Sequence, residues 1–321
     1  MRKVLVTGDF DIAAGTFPDD VDLIHIHYPV DEQALIGVLP HVHGYILGGP
    51  EYLSADLIEI ATQLKSVVVM GTGTSSFVDV AYATEKGIQL AKVPDMNIPA
   101  VADFTMAMIT ASLARVFESV EKVKTGDAWL QTPRRSWRNL KVGFVGMGAI
   151  AGEVAGQLRT RGCTTIRYWS RSRKIGLERS LGLHPASIVS MVGTVDVLCI
   201  HLTGCAETYN LIDETILANA SPELKILNLS NPKIICPVAL KNYLCANDAA
   251  FCLMDGYYNE WVRNKGQSCD SYGLLSLPTK NLVATSHLAA MEQDSVNNIF
   301  GRAVRILEGI SQPEKFMGCG I

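Results

Sequence analysis

The sequence lacks any uninterrupted apolar run approaching the ~18 residues that span a bilayer, so no segment reads as a membrane helix. It also lacks an excess of one charge: 28 basic side chains face 32 acidic ones, for a net value of -4. A nucleic acid or a membrane surface is met by an overall positive field, and there is none here. Charge is sparse at 19% while hydrophobic residues reach 48%, which excludes disorder and indicates a folded chain. The opening MRKVLVTGDF has no signal-type apolar core, because Asp9 and Asp11 interrupt it. A cytoplasmic protein is the expectation. Paired cysteines are missing too. The eight present (Cys163, Cys199, Cys205, Cys236, Cys245, Cys252, Cys269 and Cys319) show neither CxxC nor His-linked spacing, so no metal site is expected. Most lie in apolar runs such as VDVLCIHL, where a thiol is a small core side chain.

What the chain does have is length and alternation. Its 321 residues suit two domains. Short β-branched runs alternate with helically patterned segments, the signature of parallel sheets built from βαβ units. Strands are expected at 3–7, 22–27, 44–47, 67–70 and 88–91, with helices at 31–39, 54–63 and 78–86, the last stopped by Gly87. A helix is expected from Pro99 to Lys124, apolar on more than one face and therefore buried on both sides. After a polar loop around 131–138, a second series has strands at 142–145, 165–168, 195–201, 225–229, 251–254 and 282–285. A final helix at 291–308 is long enough to return to the first domain.

The strand VGFV runs into Gly146-Met147-Gly148-Ala149-Ile150-Ala151 and then a helix. The first glycine permits a tight turn, the second lets a pyrophosphate approach the backbone, and the third position accepts Ala where helix meets strand. Free amides at the helix start then hold the phosphates. About 20 residues on, an acid would receive the ribose 2′-hydroxyl of NAD. That acid is absent. Trp169-Ser170-Arg171-Ser172-Arg173-Lys174 stands in its place. Hydroxyls and guanidinium groups suit a 2′-phosphate, so NADP(H) is expected over NAD(H), against the plainer reading of a solvated cationic corner.

Polar residues gather at three later strand ends: Asn228-Leu229-Ser230-Asn231-Pro232-Lys233, then Asp255 with Glu260, then Ser286-His287. Ligands of doubly wound sheets lie at such ends. With these motifs the chain resembles the D-isomer-specific 2-hydroxyacid dehydrogenases along essentially its whole length. The resemblance rests on GTGTSSFVDVAYATEKGI, NIPAVADFTMAM, the glycine motif, DVLCIHL, NLSNPKIICPVAL, the Asp255 to Glu260 spacing, and HLAA after LPTKNLVATS.

The resemblance implies an α/β protein of two doubly wound parallel-sheet domains, a Rossmann NAD(P)-binding domain (99–290) inserted in a flavodoxin-like substrate domain (1–98 and 291–321). It makes His287 the acid/base residue, Glu260 the carboxylate that orients it, and Asp255 the acid near the nicotinamide carboxamide. His201, Leu202, Thr203, Leu229, Ser230 and Ala289 line the cofactor, beside Gly146 to Ile150 and the Ser170 to Arg173 corner. Thr72, Gly73, Thr74 and Asn97 receive the substrate. The helix at 99–124, with Trp129 and Trp137 beyond it, implies a homodimer. The chemistry is coherent: hydride delivery to a carbonyl leaves charge on oxygen, which an imidazolium relieves by proton donation, and a nearby carboxylate raises that imidazole's pKa.

One departure stands out. The family's substrate-clamping arginine falls at Asn231, which is followed by Pro232. Asparagine offers a neutral amide instead of a bidentate charged fork. Three readings compete. Lys233 restores the cation from the same face of an extended segment; or the substrate is a ketone, aldehyde or imine held by Asn231; or hydride transfer is lost and a nucleotide-binding sensor or partner protein remains.

Overall fold

The computed structural model describes residues 1–49, 51–71, 74–93, 96–126, 133, 136–258 and 270–311. Two compact units emerge, one from 1–97 with 293–321 and one from 98–292.

The first unit holds β1 (Arg2–Thr7), β2 (Val21–Ile26), α1 (Glu32–Val38), β3 (Gly44–Leu47), α2 (Ala55–Ile60), β4 (Ser66–Val69), α3 (Val80–Glu85) and β5 (Gln89–Lys92). Its five strands are parallel, in the order β2-β1-β3-β4-β5. This is the flavodoxin-like order, whose direction reverses between β1 and β3. Alternation along β1 explains its two faces. Leu5 joins Leu35, Leu57 and Ala83 on one side, while Val4 and Val6 join the C-terminal helix on the other. Asp31, Ser54 and Asp79 cap α1, α2 and α3 by accepting a backbone N–H. Gly87, at φ +72, takes the left-handed position after α3 that any side chain would resist.

The second unit starts with α4 (Ile98–Leu113) and α5 (Val116–Thr125). A single helix was the expectation over this stretch; it breaks at Arg115, whose φ of +56 interrupts the hydrogen-bond ladder, and the two axes bend by 52°. Neither proline nor glycine marks the break. There follow β6 (Lys141–Val145), α6 (Ala149–Thr160), β7 (Thr165–Trp169), α7 (Ile175–Leu181), β8 (His184–Pro185), α8 (Ile188–Val192), β9 (Val197–Ile200), α9 (Glu214–Leu217), β10 (Lys225–Asn228), α10 (Pro237–Ala246), β11 (Phe251–Asp255) and β12 (Leu282–Thr285). All seven strands are parallel, ordered β12-β11-β10-β9-β6-β7-β8. This is the Rossmann order with one strand added, and its switch point lies between β6 and β9. Val142 and Phe144 face α4 and α6, whereas Leu198, Ile200 and Ile226 face α8 and α10. The short edge strand β8 carries a proline, which an edge tolerates because one side has no ladder to complete.

The chain then returns to the first unit as α11 (Gln293–Ser311). Val296, Ile299, Phe300, Ala303, Val304 and Leu307 recur at three- and four-residue steps and cover the β3 and β4 face. Among the described residues, no single helix is long and apolar enough to cross a membrane.

Candidate active site

At the switch point of the seven-stranded sheet, Gly146 has φ +94, and a Cβ added there would lie 2.1 Å from the His201 carbonyl oxygen. Glycine alone allows this approach. Gly148 is the N-cap of the twelve-residue α6 and makes no side-chain cap hydrogen bond. A Cβ at Gly148 would meet nothing within 4 Å, so the free amides at this helix start adjoin open space. Met147 and Ala151 are buried beneath the turn. The arrangement fits an anionic pyrophosphate.

Beyond β7 the four expected contacts divide. Arg173 is committed: its Nε donates to Glu178 Oε1 at 3.1 Å, and its Nη2 pairs with Oε2. The same carboxylate accepts from the Tyr168 hydroxyl at 2.5 Å. Hydrogen bonds from Arg173 and then Tyr168 hold the Glu178 carboxyl below its ordinary pKa. Ser170 Oγ donates to the Ser172 carbonyl at 2.5 Å, which closes the corner. Arg171 is exposed and has no ion-pair partner among the described residues. Its charge also helps to lower Glu207, behind the Cys205 thiol and the backbone at Glu207.

The loops after β9 and β10 are joined. Ser230 Oγ accepts from the Leu202 N–H at 3.0 Å and donates to the Ile200 carbonyl at 3.0 Å. The buried Asn228 donates through Nδ2 to the Asn231 carbonyl at 3.2 Å and accepts the Ser230 N–H at 3.1 Å. Thr203 accepts through its carbonyl from Thr208 at 2.9 Å. His201 is enclosed, its ring stacked on Phe144 at 6.1 Å between centroids. Both ring nitrogens lack a partner among the described residues. Burial drives its pKa down to about 4, so the ring is neutral near pH 7.

Asn231 caps a short 3-10 turn, Pro232–Ile234, by accepting the Lys233 N–H at 2.9 Å. This corrects the expectation of an extended segment. Proline's fixed φ and the asparagine cap favour a turn, in which residues 231 and 233 do not share a face. Lys233 instead places Nζ over the Tyr209 ring, 5.5 Å from its centroid.

At the end of β11, the buried Asp255 accepts from Thr285 Oγ1 at 2.6 Å and from the amides of Leu288 and Ala289 at 2.7 and 2.8 Å. These three donors bracket His287, an exposed residue whose φ is +62. A bulky side chain resists that backbone region, so the Asp255 contacts offset local strain. Glu260, Thr72, Gly73 and Trp129 lie outside the described residues. In the first unit, Thr74 opens a 3-10 turn (Thr74–Ser76), and its carbonyl accepts from Phe77 and Val78 at 3.0 Å each. Asn97 has a buried Oδ1 without a hydrogen-bond partner among the described residues.

Three roles are not assigned from the sequence: Gly204, whose missing side chain leaves room for Asn231; Glu178, which occupies Arg173; and Asn228, named above only as a polar strand end, which is the buried anchor of the Asn231 turn. Only Asn228 had a signal, a polar residue ending a buried strand. Of the eight cysteines, the six described are free thiols, and Cys269 and Cys319 lie outside the described residues.

Residues 106–289 match the family described as D-isomer specific 2-hydroxyacid dehydrogenase, NAD binding domain. The chain is similar to glyoxylate reductase of Aeropyrum pernix, 29% identical over 298 residues that cover 87% of this chain and 85% of that protein. It is also similar to glyoxylate/hydroxypyruvate reductase B of Yersinia pestis, 26% identical over 281 residues, covering 86% and 83%. In fold it matches D-lactate dehydrogenase from Aquifex aeolicus complexed with NAD and lactic acid, with a TM-score of 0.80 and 19% identity over 98% of each chain.

Proposed function

The chain belongs to the D-isomer specific 2-hydroxyacid dehydrogenase family, and we propose that it serves there as an NADPH-preferring reductase of a small carbonyl compound. As a member it is an NAD(P)-dependent oxidoreductase of the hydroxy acid and keto acid class. The finer reading rests chiefly on Arg171, an exposed cation at the end of the strand where an acid would otherwise meet the ribose. A guanidinium there favours the additional phosphate of NADPH.

When bound, the nicotinamide supplies a hydride to the carbonyl carbon. As it arrives, the C=O electron pair moves onto oxygen, and His287 gives that oxygen a proton, which yields an alcohol. Asp255 keeps the His287 turn in place. Glu260 is assigned to support the charged ring. Asn231 orients the substrate, which is a 2-oxo acid or, with a neutral amide in the arginine's place, a ketone, aldehyde or imine. We assign Lys233 no substrate contact, because its ammonium is engaged on Tyr209.

A homodimer is part of this reading. Val116, Val120 and Val123 are 42%, 42% and 58% exposed and follow one face of α5, an apolar stripe suited to a second copy. The mass in solution checks it.

The central experiment follows NADPH and NADH oxidation over a panel of 2-oxo acids, ketones, aldehydes and imines, beside His287→Ala. NADPH should be preferred, and the variant should lose about 10²- to 10⁴-fold in kcat. An unaffected variant removes His287 from the chemistry. NADPH binding without turnover of any compound moves the protein to the sensor class.

A further inference from the structure

We propose that Gly204 is a specificity-determining residue, which with Asn231 fixes a one-way hydrogen-bond donor that selects a neutral acceptor on the substrate. This rests on the reading that Asn231 faces the substrate, and it narrows the substrate class.

A Cβ added at Gly204 would lie 2.5 Å from Asn231 Cβ and 2.8 Å from both Cγ and Nδ2. The φ of Gly204 is outside the left-handed region, so space and not conformation demands glycine here. The Asn231 side chain fills the volume that a residue at 204 would otherwise take. Its orientation is then settled by chemistry. Oδ1 accepts the Lys233 N–H at 2.9 Å, and a backbone N–H can bond only to the oxygen end of the amide. The nitrogen end, Nδ2, has no acceptor among the described residues, and the side chain is only half-buried.

The backbone carbonyl beside the amide is also held. The Asn231 carbonyl accepts from Asn228 Nδ2 at 3.2 Å and from the Ile234 N–H at 3.1 Å. The Gly204 loop is tied to the same turn through Ser230 Oγ and the Leu202 N–H. Rotation of the amide would break the cap, so the group can only donate. It carries no formal charge to offset the desolvation of a carboxylate, a cost that a neutral carbonyl, ester or amide oxygen does not incur and that an arginine would repay. An amine or an iminium, which must donate, is disfavoured at this position.

The test uses the whole protein with NADPH and three related probes: pyruvate, methyl pyruvate and pyruvamide. The ester or amide should be reduced with a kcat/KM at least equal to that of pyruvate. Asn231→Asp keeps an oxygen at the cap and loses the donor. It should lower kcat/KM on the neutral probes by about tenfold or more with an unchanged melting temperature. Gly204→Ala should lower it by a similar factor by evicting the same amide, and the double variant should be no worse than the poorer single. Reduction that Asn231→Asp leaves intact, or multiplied losses in the double variant, overturns the inference while the proposed function stands. A clear preference for pyruvate overturns it too. If none of the three is reduced, this inference and the reading beneath it fall together.

Discussion

The carboxyl edge of the seven-stranded sheet carries two kinds of turn. Those after β6 and β7 face outward: Gly148 adjoins open space, and Arg171 is exposed without a partner among the described residues. Those after β9, β10 and β12 are bonded to one another or to the sheet, through Ser230, Asn231 and Asp255. Open turns suit a highly charged ligand, which supplies its own strong interactions with amides and cations. Bonded turns suit the reacting centre, where an error of about 1 Å in position is expensive in rate. The difference is one of prior commitment. On the first side the start of α6 and Arg171 are open while Arg173 is held by Glu178. On the second Ser230, the Asn231 oxygen and Asp255 are all engaged, with Asn231 Nδ2 left as a donor.

The largest test of this contrast removes a commitment. Asp255→Ala would leave the amides of Leu288 and Ala289 and the Thr285 hydroxyl without their acceptor, and the turn at His287 would lose what offsets its positive φ. Loss of three bonds to a buried carboxylate should destabilise the protein by roughly 3 kcal/mol or more. Asp255→Asn, which keeps the shape, separates stability from chemistry. Its kcat should drop about tenfold or more while NADPH affinity changes little, against the expectation of a carboxamide contact, because three donors already engage the carboxylate. If the dissociation constant for NADPH rises in step with the loss of kcat, Asp255 contacts the cofactor and the contrast between the two sides breaks.

The same distinction explains what was legible beforehand. Eleven of the twelve described strands read correctly from β-branched and apolar runs, because the strands of a parallel sheet covered on both faces are mostly apolar. The twelfth, His184–Pro185, is two residues long with a proline, below any periodic signal. The helix break at Arg115 was hidden because a left-handed arginine looks like any other helical arginine in sequence. Site residues were visible by type, at strand ends where a doubly wound sheet collects ligands. Their engagements were not. Asp255 meets amides 33 and 34 positions away, and Gly204 meets a side chain 27 positions away. No local pattern encodes such contacts. Asn231 was read as free to face a substrate, although its oxygen is already used by Lys233.

His201 offers a second, smaller test, since both its ring nitrogens are buried on the bonded side and lack a partner among the described residues. Burial lowers its pKa from 6.5 to about 4 in the fold. Between these values the unfolded chain binds the proton and the folded chain does not. Stability is therefore complete above pH 6.5 and falls as pH drops through that window. At pH 5 the group should account for a loss of roughly 2 kcal/mol relative to pH 7, at 1.36 kcal/mol per unit. Urea unfolding of the protein and of His201→Leu at the two pH values isolates it, because other titrating groups cancel in the difference. Equal losses in the two proteins would mean that the ring finds a partner and is not committed to the neutral form.

The smallest effect sharpens the open side. Arg171 and Arg173 are two residues apart, yet Arg173 is held by Glu178 and Arg171 is not held by any described residue. Arg171→Ala should weaken NADPH binding by about tenfold, the scale of one charge-assisted hydrogen bond, and leave NADH nearly unchanged. Arg173→Ala should cost NADPH less, about two- to threefold, because its guanidinium must first leave a carboxylate to meet a phosphate. Glu178→Gln frees Arg173 and gives the converse: NADPH should bind more tightly, and Arg173→Ala in that background should then matter as much as Arg171→Ala. Equal losses from the two arginines in the natural chain would show that Glu178 releases its partner without penalty. Equal losses for NADPH and NADH would leave the corner a solvated turn with no role at the ribose.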